Sequence, residues 1–220
     1  MAKSILTPFQ KDVLELVSKN PIFTKNFYLT GGTALSEFYL HHRESEDLDF
    51  FSEEEFNFSQ VQMLIKQIAS KLKLTDVKYR NQFGLHIFFL HRKNEILKVD
   101  FNNYPFTQLE KQILFNKKLR IDSLRDIAVN KLQTIATQPR SRDFIDLYFI
   151  IKEKGWTIEE LRKEARNKFD WYVDEIQLGS RFLMVRELKD YPKMIIPFDN
   201  KEMQEFWLKE ANNLKDMLLK

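Results

Sequence analysis

The stretch Leu29-Thr30-Gly31-Gly32-Thr33-Ala34-Leu35, followed shortly by His42-Arg43-Glu44-Ser45-Glu46-Asp47-Leu48-Asp49-Phe50-Phe51, decides the reading of this chain. A paired glycine closes an apolar, strand-like run and opens a helix-like one. A second strand-like run then presents two aspartates at i and i+2. Side chains alternate along a strand, so Asp47 and Asp49 share one face and Leu48 takes the other. Two neighbouring carboxylates repel and need compensation, for which a divalent cation is the usual means. Gly31 and Gly32 place backbone N–H groups at a helix start, where a phosphate can sit. A glycine turn, a helix and an Asp-x-Asp strand together point to a nucleotide site.

The same logic extends outward. In Ile96-Leu97-Lys98-Val99-Asp100-Phe101, alternation puts Ile96, Lys98 and Asp100 on one face. Should this strand lie beside the Asp47 strand, Asp100 completes a three-carboxylate cluster; otherwise it is an edge aspartate beside Lys98. Projected on a helix, Asp122 to Thr137 sets Lys131 in an apolar stripe with Leu124, Ile127, Ala128 and Ile135. A lysine there either meets an anion, a nucleotide phosphate or an internal carboxylate, or snorkels to an edge. The next run, Ser141 to Lys154, is apolar almost all round, with a narrow polar window holding Arg142 and Asp146 and with Asp143 at its edge. Asp146 is the best internal partner for Lys131. Arg162, Lys163, Arg166 and Lys168, followed by Trp171 and Tyr172, form a basic-aromatic run that could bind RNA, though such a run is more often a solvated helix face.

These motifs resemble the nucleotidyltransferase superfamily, and within it the AbiEii/AbiGii toxin family, whose pattern is similar to the residues from Leu29 to Leu35 and from His42 to Phe51. Lys98-Val99-Asp100 resembles the family's third-carboxylate strand. Ile127 to Lys131 and Arg142 to Tyr148 resemble its helical signature. The resemblance runs from Leu29 to about Tyr148. It implies that Asp47, Asp49 and Asp100 are catalytic and bind Mg²⁺, with two ions expected. It also implies that Gly31, Gly32, Thr33, Arg43, Ser45, Lys131, Arg142, Asp143 and Asp146 bind the NTP. The implied activity is transfer of a nucleoside monophosphate to an acceptor hydroxyl by the toxin of a bacterial toxin–antitoxin or phage-defence pair. The acceptor would be RNA, tRNA-like by resemblance, and a cognate antitoxin would be encoded nearby. Rival readings are a small-molecule or protein acceptor, and a catalytically degenerate regulatory module.

Composition sets the frame. The 220 residues carry a net charge of +3, 43% hydrophobic content, 20 phenylalanines and no cysteine. Such a chain buries an aromatic-rich core and uses neither disulfides nor cysteine-ligated metals. His41, His42, His86 and His91 lack zinc-site spacing. No apolar run reaches membrane-spanning length and no signal-peptide pattern opens the chain, so a cytoplasmic location is expected. Helices are expected over 8–18, 33–40 and 59–72, and strands over 26–30, 47–51, 76–82, 85–90 and 96–101. Thr33 is the expected N-cap of its helix. Everything after Asp122 reads as helix. The expected architecture is α+β: a mixed sheet flanked by helices over 1–110, then an all-helical half over 111–220.

Overall fold

The computed structural model describes residues 4–218. In chain order it holds α1 (Pro8–Ser18), α2 (Pro21–Asn26), β1 (Tyr28–Thr30), α3 (Gly31–Leu35), β2 (Leu48–Ser52), α4 (Phe58–Leu72), β3 (Asp76–Gln82), β4 (Leu85–Arg92), β5 (Glu95–Asn103), β6 (Ile113–Phe115), β7 (Leu119–Ile121), α5 (Leu124–Thr137), α6 (Ser141–Lys154), α7 (Ile158–Phe169), α8 (Glu175–Leu183) and α9 (Asn200–Leu218). A π-helical turn over Ser36–Leu40 extends α3. The chain divides into two compact units. One comprises the residues up to Tyr39 with Glu44–Thr107 and Lys111–Ser123; the other comprises Leu40–Arg43, Gln108–Glu110 and the chain from Leu124.

The first unit is built on a seven-stranded sheet in the order β3-β4-β5-β2-β1-β7-β6. Its β1/β7 and β2/β5 pairings are parallel, and its other pairings are antiparallel. The sheet is mixed, as expected. Helix α1 starts on a reciprocal cap between Thr7 and Gln10 and buries Phe9, Val13, Leu14 and Val17. The apolar residues at helical spacing in α4 (Val61, Leu64, Ile65 and Ile68) are all buried. The phenylalanine-rich composition has its counterpart in one cluster: the Phe101 ring lies 5.4 Å from Phe23, 5.5 Å from Phe27, 5.1 Å from Phe50 and 6.1 Å from Phe88.

Four local expectations need correction. Asn26 is the last residue of α2, whose start is set by the Asn20 side chain accepting from the backbone N–H groups of Ile22 and Phe23. Thr33 does not cap α3, because that helix begins at Gly31 and its N-cap is Thr30, which makes no side-chain capping bond. The segment between Thr107 and Ile121 supplies β6 and β7, two three-residue strands too short to show a period. The chain after Asp122 is not helix throughout. Residues 187–199 carry Pro192 and Pro197, which disfavour a continuous helix, and among the described residues their only ladder contact is an isolated bridge from Met194 to Arg43.

The second unit is all-helical. Helices α6, α7, α8 and α9 bury Phe144, Leu161, Phe182 and Trp207. The Trp207 ring stands 5.2 Å from Phe144 and 4.8 Å from Phe182, and its indole N–H donates to the Phe144 carbonyl. Gly155 ends α6 at φ +69°, a left-handed position that glycine takes without strain. Lys168 of α7 and Asp126 of α5, both fully buried, pair at 2.5 Å. Asp126 also accepts from the backbone N–H groups of Leu109 and Glu110, which ties that short segment to the helices.

Candidate active site

In the sheet unit, β2 and β5 run parallel with Asp49 directly opposite Asp100. Paired residues on neighbouring strands project to the same face. Lys98, two residues before Asp100 on β5, projects with them, and Asp47, which lies just before the start of β2, meets Lys98. Leu48, Phe50, Val99 and Phe101 go to the other face and are fully buried. The alternation of the sequence thus becomes a sheet with one apolar face and one face gathering three carboxylates and an ammonium.

Lys98 compensates the carboxylates. Its Nζ lies 2.6 Å from Asp100 and 3.4 Å from Asp47. Burial works against the ammonium, but the hydrogen bond to Asp100 and the charges of Asp100, Asp47 and Asp49 outweigh it and raise the Lys98 pKa. For Asp100 burial dominates, and with the nearby charge of Asp47 it raises the carboxyl pKa despite Lys98. Its Oδ1 is buried and has no hydrogen-bond partner. Nothing in the sequence identified Lys98 as this counter-ion except its place two residues before Asp100 on the same face.

The glycine turn and the loop before β2 frame these carboxylates. Gly31 sits at φ +74°, and a Cβ there would overlap the Asp49 carboxylate, so both backbone conformation and space demand glycine. The Thr33 hydroxyl donates to the Asp47 carbonyl and so ties α3 to the loop. The carbonyl of Ser45 accepts from Gln10 Nε2 at 2.7 Å, pinning the same loop to α1. At the far end of β1, Thr30 donates to Asp122 Oδ2 at 2.6 Å. Asp122 is fully buried and also accepts from the Ser123 N–H. Sequence gave no sign of it, because its partner is 92 residues away.

Among the described residues, no three His, Cys, Asp or Glu side chains stand ready as a metal cage. Asp47 and Asp100 are turned onto Lys98 instead. The donor chemistry nevertheless fits a hard divalent cation: the donors are carboxylate oxygens, the acidic groups are adjacent in register, and one buried oxygen of Asp100 is unspent.

The remaining candidate residues lie in the helical unit, and all but Arg142 form a second cluster. Asp146, fully buried, accepts from Arg43 Nε at 2.6 Å and from its terminal nitrogen at 2.8 Å, from His42 Nε2 at 2.8 Å, and pairs with Lys131 Nζ at 2.6 Å. Asp143 takes Lys131 Nζ at 2.7 Å and Arg140 Nε at 2.6 Å. Burial alone would raise both carboxyls. Lys131 and Arg140 instead hold Asp143 below the ordinary carboxylate range, and Lys131 with Arg43 holds Asp146 well below it. The pairing of Lys131 with Asp146 follows from helical projection. The closure by Arg43 and Asp143 does not, and Arg43 is neither a solvated loop residue nor open to a ligand from its forked side. Arg142 does not share a window with Asp146: it is exposed and, among the described residues, makes no hydrogen bond or ion pair.

The basic-aromatic run also departs from an open face. Arg162 bonds Glu159 at 2.9 Å and Glu175 at 2.5 Å, and Lys168 is spent on Asp126. Lys163 and Arg166 remain exposed, with Arg166 over the Tyr172 ring.

Comparison with known proteins bears on this geometry. The family model described as nucleotidyl transferase AbiEii toxin, type IV toxin–antitoxin system, matches residues 15–220. An uncharacterised protein of Aquifex aeolicus is 34% identical over 161 residues, covering 73% of this chain and 74% of that one. The crystal structure of JHP933 from Helicobacter pylori superposes with a TM-score of 0.58 at 19% identity, over 96% of this chain and 90% of that chain. The nucleotidyltransferase toxin MenT4 of Mycobacterium tuberculosis gives a TM-score of 0.54 at 15% identity, over 93% and 82%. The two structural likenesses speak to the fold, while the family match extends over the Gly-Gly turn, all three aspartates and the Lys131–Asp146 cluster. The chain belongs to the AbiEii family of nucleotidyltransferases.

Proposed function

We propose that this nucleotidyltransferase moves a nucleoside monophosphate from an NTP to a hydroxyl of RNA, that Asp47, Asp49 and Asp100 hold the Mg²⁺ it needs, and that it serves as the toxin of a bacterial toxin–antitoxin pair. The observation that supports the site assignment is the register of β2 on β5, which sets Asp49 beside Asp100, with Asp47 meeting Lys98 just before β2. Bound Mg²⁺ supplies charge neutralisation at the phosphates and acidifies the attacking hydroxyl.

The residues of the chain divide the remaining work. Gly31 and Gly32 offer backbone N–H groups to the NTP phosphates, and Gly31 leaves the room that a side chain would take from Asp49. Thr33 and Ser45 fix the loop that carries Asp47. Lys98 keeps the carboxylates compensated before a cation arrives. Asp100 Oδ1, buried without a hydrogen-bond partner, receives the proton of the attacking hydroxyl. The acceptor oxygen then bonds to the α-phosphorus, the bond from that phosphorus to the bridging oxygen breaks, and pyrophosphate leaves with the electron pair. Arg142 is the cation of α6 left to meet an anion. Lys131, Arg43, Asp143 and Asp146 act as one charge-balanced group that fixes α5 and α6.

The test uses each NTP labelled at the α-phosphate, Mg²⁺, and bacterial RNA or protein in separate incubations. Label is expected in a discrete RNA band and absent with Asp100→Ala. Label confined to protein or to a small molecule would overturn the RNA acceptor, and persistence of label in Asp100→Ala would overturn the proton-acceptor role.

A further inference from the structure

The helical unit contains a concave site that nucleotidyl transfer by the sheet carboxylates does not use. It is a cavity of about 170 Å³ among α5, α7, α8 and the Trp171–Val173 loop. Leu132 and Ala136 of α5, Ala165 of α7 and Leu178 of α8 form its apolar floor. Trp171 and Tyr172 stand at its wall, and Lys163 and Arg166 at its rim.

Two polar atoms in the lining are unspent. Arg162, whose side chain is only 9% exposed, commits its terminal nitrogens to Glu159, Glu175 and the Val173 carbonyl. Its Nε is buried without a partner. Gln133 Oε1 is likewise buried and unpartnered. Gln133 itself lines the cavity and is half-buried, which places its amide among the lining groups. The lining therefore holds an amide, which both donates and accepts, and a guanidinium beside an apolar floor and aromatic rings. Buried polar groups left without partners cost stability, and a ligand that satisfies both recovers it.

Charge selects the rest of the ligand. Glu159 and Glu175 are turned onto Arg162, and the Tyr172 hydroxyl also donates to Glu175. Among the described residues Arg166 meets only the Tyr172 ring, and Lys163 reaches Glu159 at 3.5 Å while 72% exposed. The rim thus keeps an excess of positive charge facing solvent. A ring with a donor and an acceptor on one edge, attached to a phosphate, matches floor, lining and rim together. A cavity of roughly 150 Å³ holds a benzene ring, so one six-membered heterocycle fits where a fused pair is crowded.

We propose that this cavity binds a pyrimidine nucleotide unit, with the base against Gln133, Arg162 and Trp171 and its phosphate at Lys163 and Arg166. The unit is either a free nucleotide or one residue of an RNA strand. The strand source rests on the acceptor reading above; the base-and-phosphate chemistry does not.

The experiment uses the full chain carrying Asp47→Ala and Asp49→Ala, which disables the sheet carboxylates. Calorimetric titrations with CMP and with AMP, and anisotropy titrations with a fluorescent single-stranded hexaribonucleotide, are repeated after adding Gln133→Leu or Arg166→Ala. CMP is expected to bind more tightly than AMP, and each added substitution to weaken binding about tenfold. Added salt is expected to weaken the RNA more than CMP. Gln133→Asn checks that a retained amide keeps more affinity than leucine, and unchanged melting curves show that the variants fold. Binding of CMP without RNA supports the site as one for a free nucleotide, and binding of RNA without CMP supports it as a strand subsite. Affinities unmoved by both substitutions, or no binding of either ligand, overturn the proposal. Labelled RNA formed by the wild-type protein with no pocket binding would sink this inference alone, whereas pocket binding with no labelled RNA would sink the acceptor reading and leave the free-nucleotide site standing.

Discussion

Lys131 shows how far a residue can be read from sequence and where that reading stops. A lysine in an apolar helical stripe meets an anion or snorkels to an edge, and Asp146, in the neighbouring helix, is visible as a candidate partner. Arg43 approaches the same carboxylate from 103 residues away, a distance no local pattern spans. The physical consequence can be measured. Lys131→Met removes the cation shared by Asp143 and Asp146 and leaves their buried charges undercompensated. The expected loss is about 3–5 kcal/mol at neutral pH by urea denaturation. Both carboxyls have folded-state pKa values below their unfolded ones. In the wild type their contribution is therefore complete above the ordinary carboxylate pKa of about 4 and is lost as pH falls through the folded values. In Lys131→Met the undercompensated carboxyls are relieved by protonation, so the deficit relative to wild type is expected to shrink as the medium is acidified toward pH ~4. Equal deficits at the two pH values would show that Lys131 does not compensate these carboxylates.

At the scale of elements, legibility followed length and period. Strand β3 falls on the expected residues, and β4, β5 and α4 lie within a few residues of expectation, because each sustains its period over several side chains. Strands β6 and β7 have three residues each, α2 has six, and α3 passes into a π-helical turn. Pairing and packing set these elements, not any pattern within them. Strand β5 was legible and carries a second function besides presenting Asp100. Its next residue, Phe101, turns to the opposite face and joins rings from α2, β2 and β4. Phe101→Ala is expected to destabilise the sheet unit by about 3–5 kcal/mol. Phe83, 94% exposed in the β3–β4 turn, gives the contrast: Phe83→Ala should stay within about 0.5 kcal/mol. Similar losses for the two in denaturant titrations would mean that the aromatic cluster does not hold β5 in place.

For the whole molecule, composition announced an aromatic core, and alternation of strands and helices followed by helices announced an α+β half and a helical half. The carboxylate face arose from short-range signals because a strand's period of two carries Asp47 to Asp49 and Lys98 to Asp100. What joins those two strands is register, which sequence left open and which the β2–β5 pairing supplies. Lys98 brings one ammonium to this face of three carboxylates, pairing with Asp100 and Asp47, and Asp100 Oδ1 is left without a hydrogen-bond partner. A divalent cation that binds the folded protein and not the unfolded chain stabilises by mass action, about 2.7 kcal/mol at a hundredfold excess over its dissociation constant. For a chain of this size that is a rise of roughly 5–10 °C in melting temperature. With two compact units in the chain, the shift belongs to the transition that unfolds the sheet unit. Differential scanning calorimetry with Mg²⁺ against EDTA should show the rise in the wild type. Asp47→Ala with Asp49→Ala is expected to melt no lower than the wild type in EDTA, because like charges have been removed, and to lose the response to Mg²⁺. An undiminished Mg²⁺ shift in that double variant would place the cation elsewhere in the molecule and remove these aspartates from the metal site.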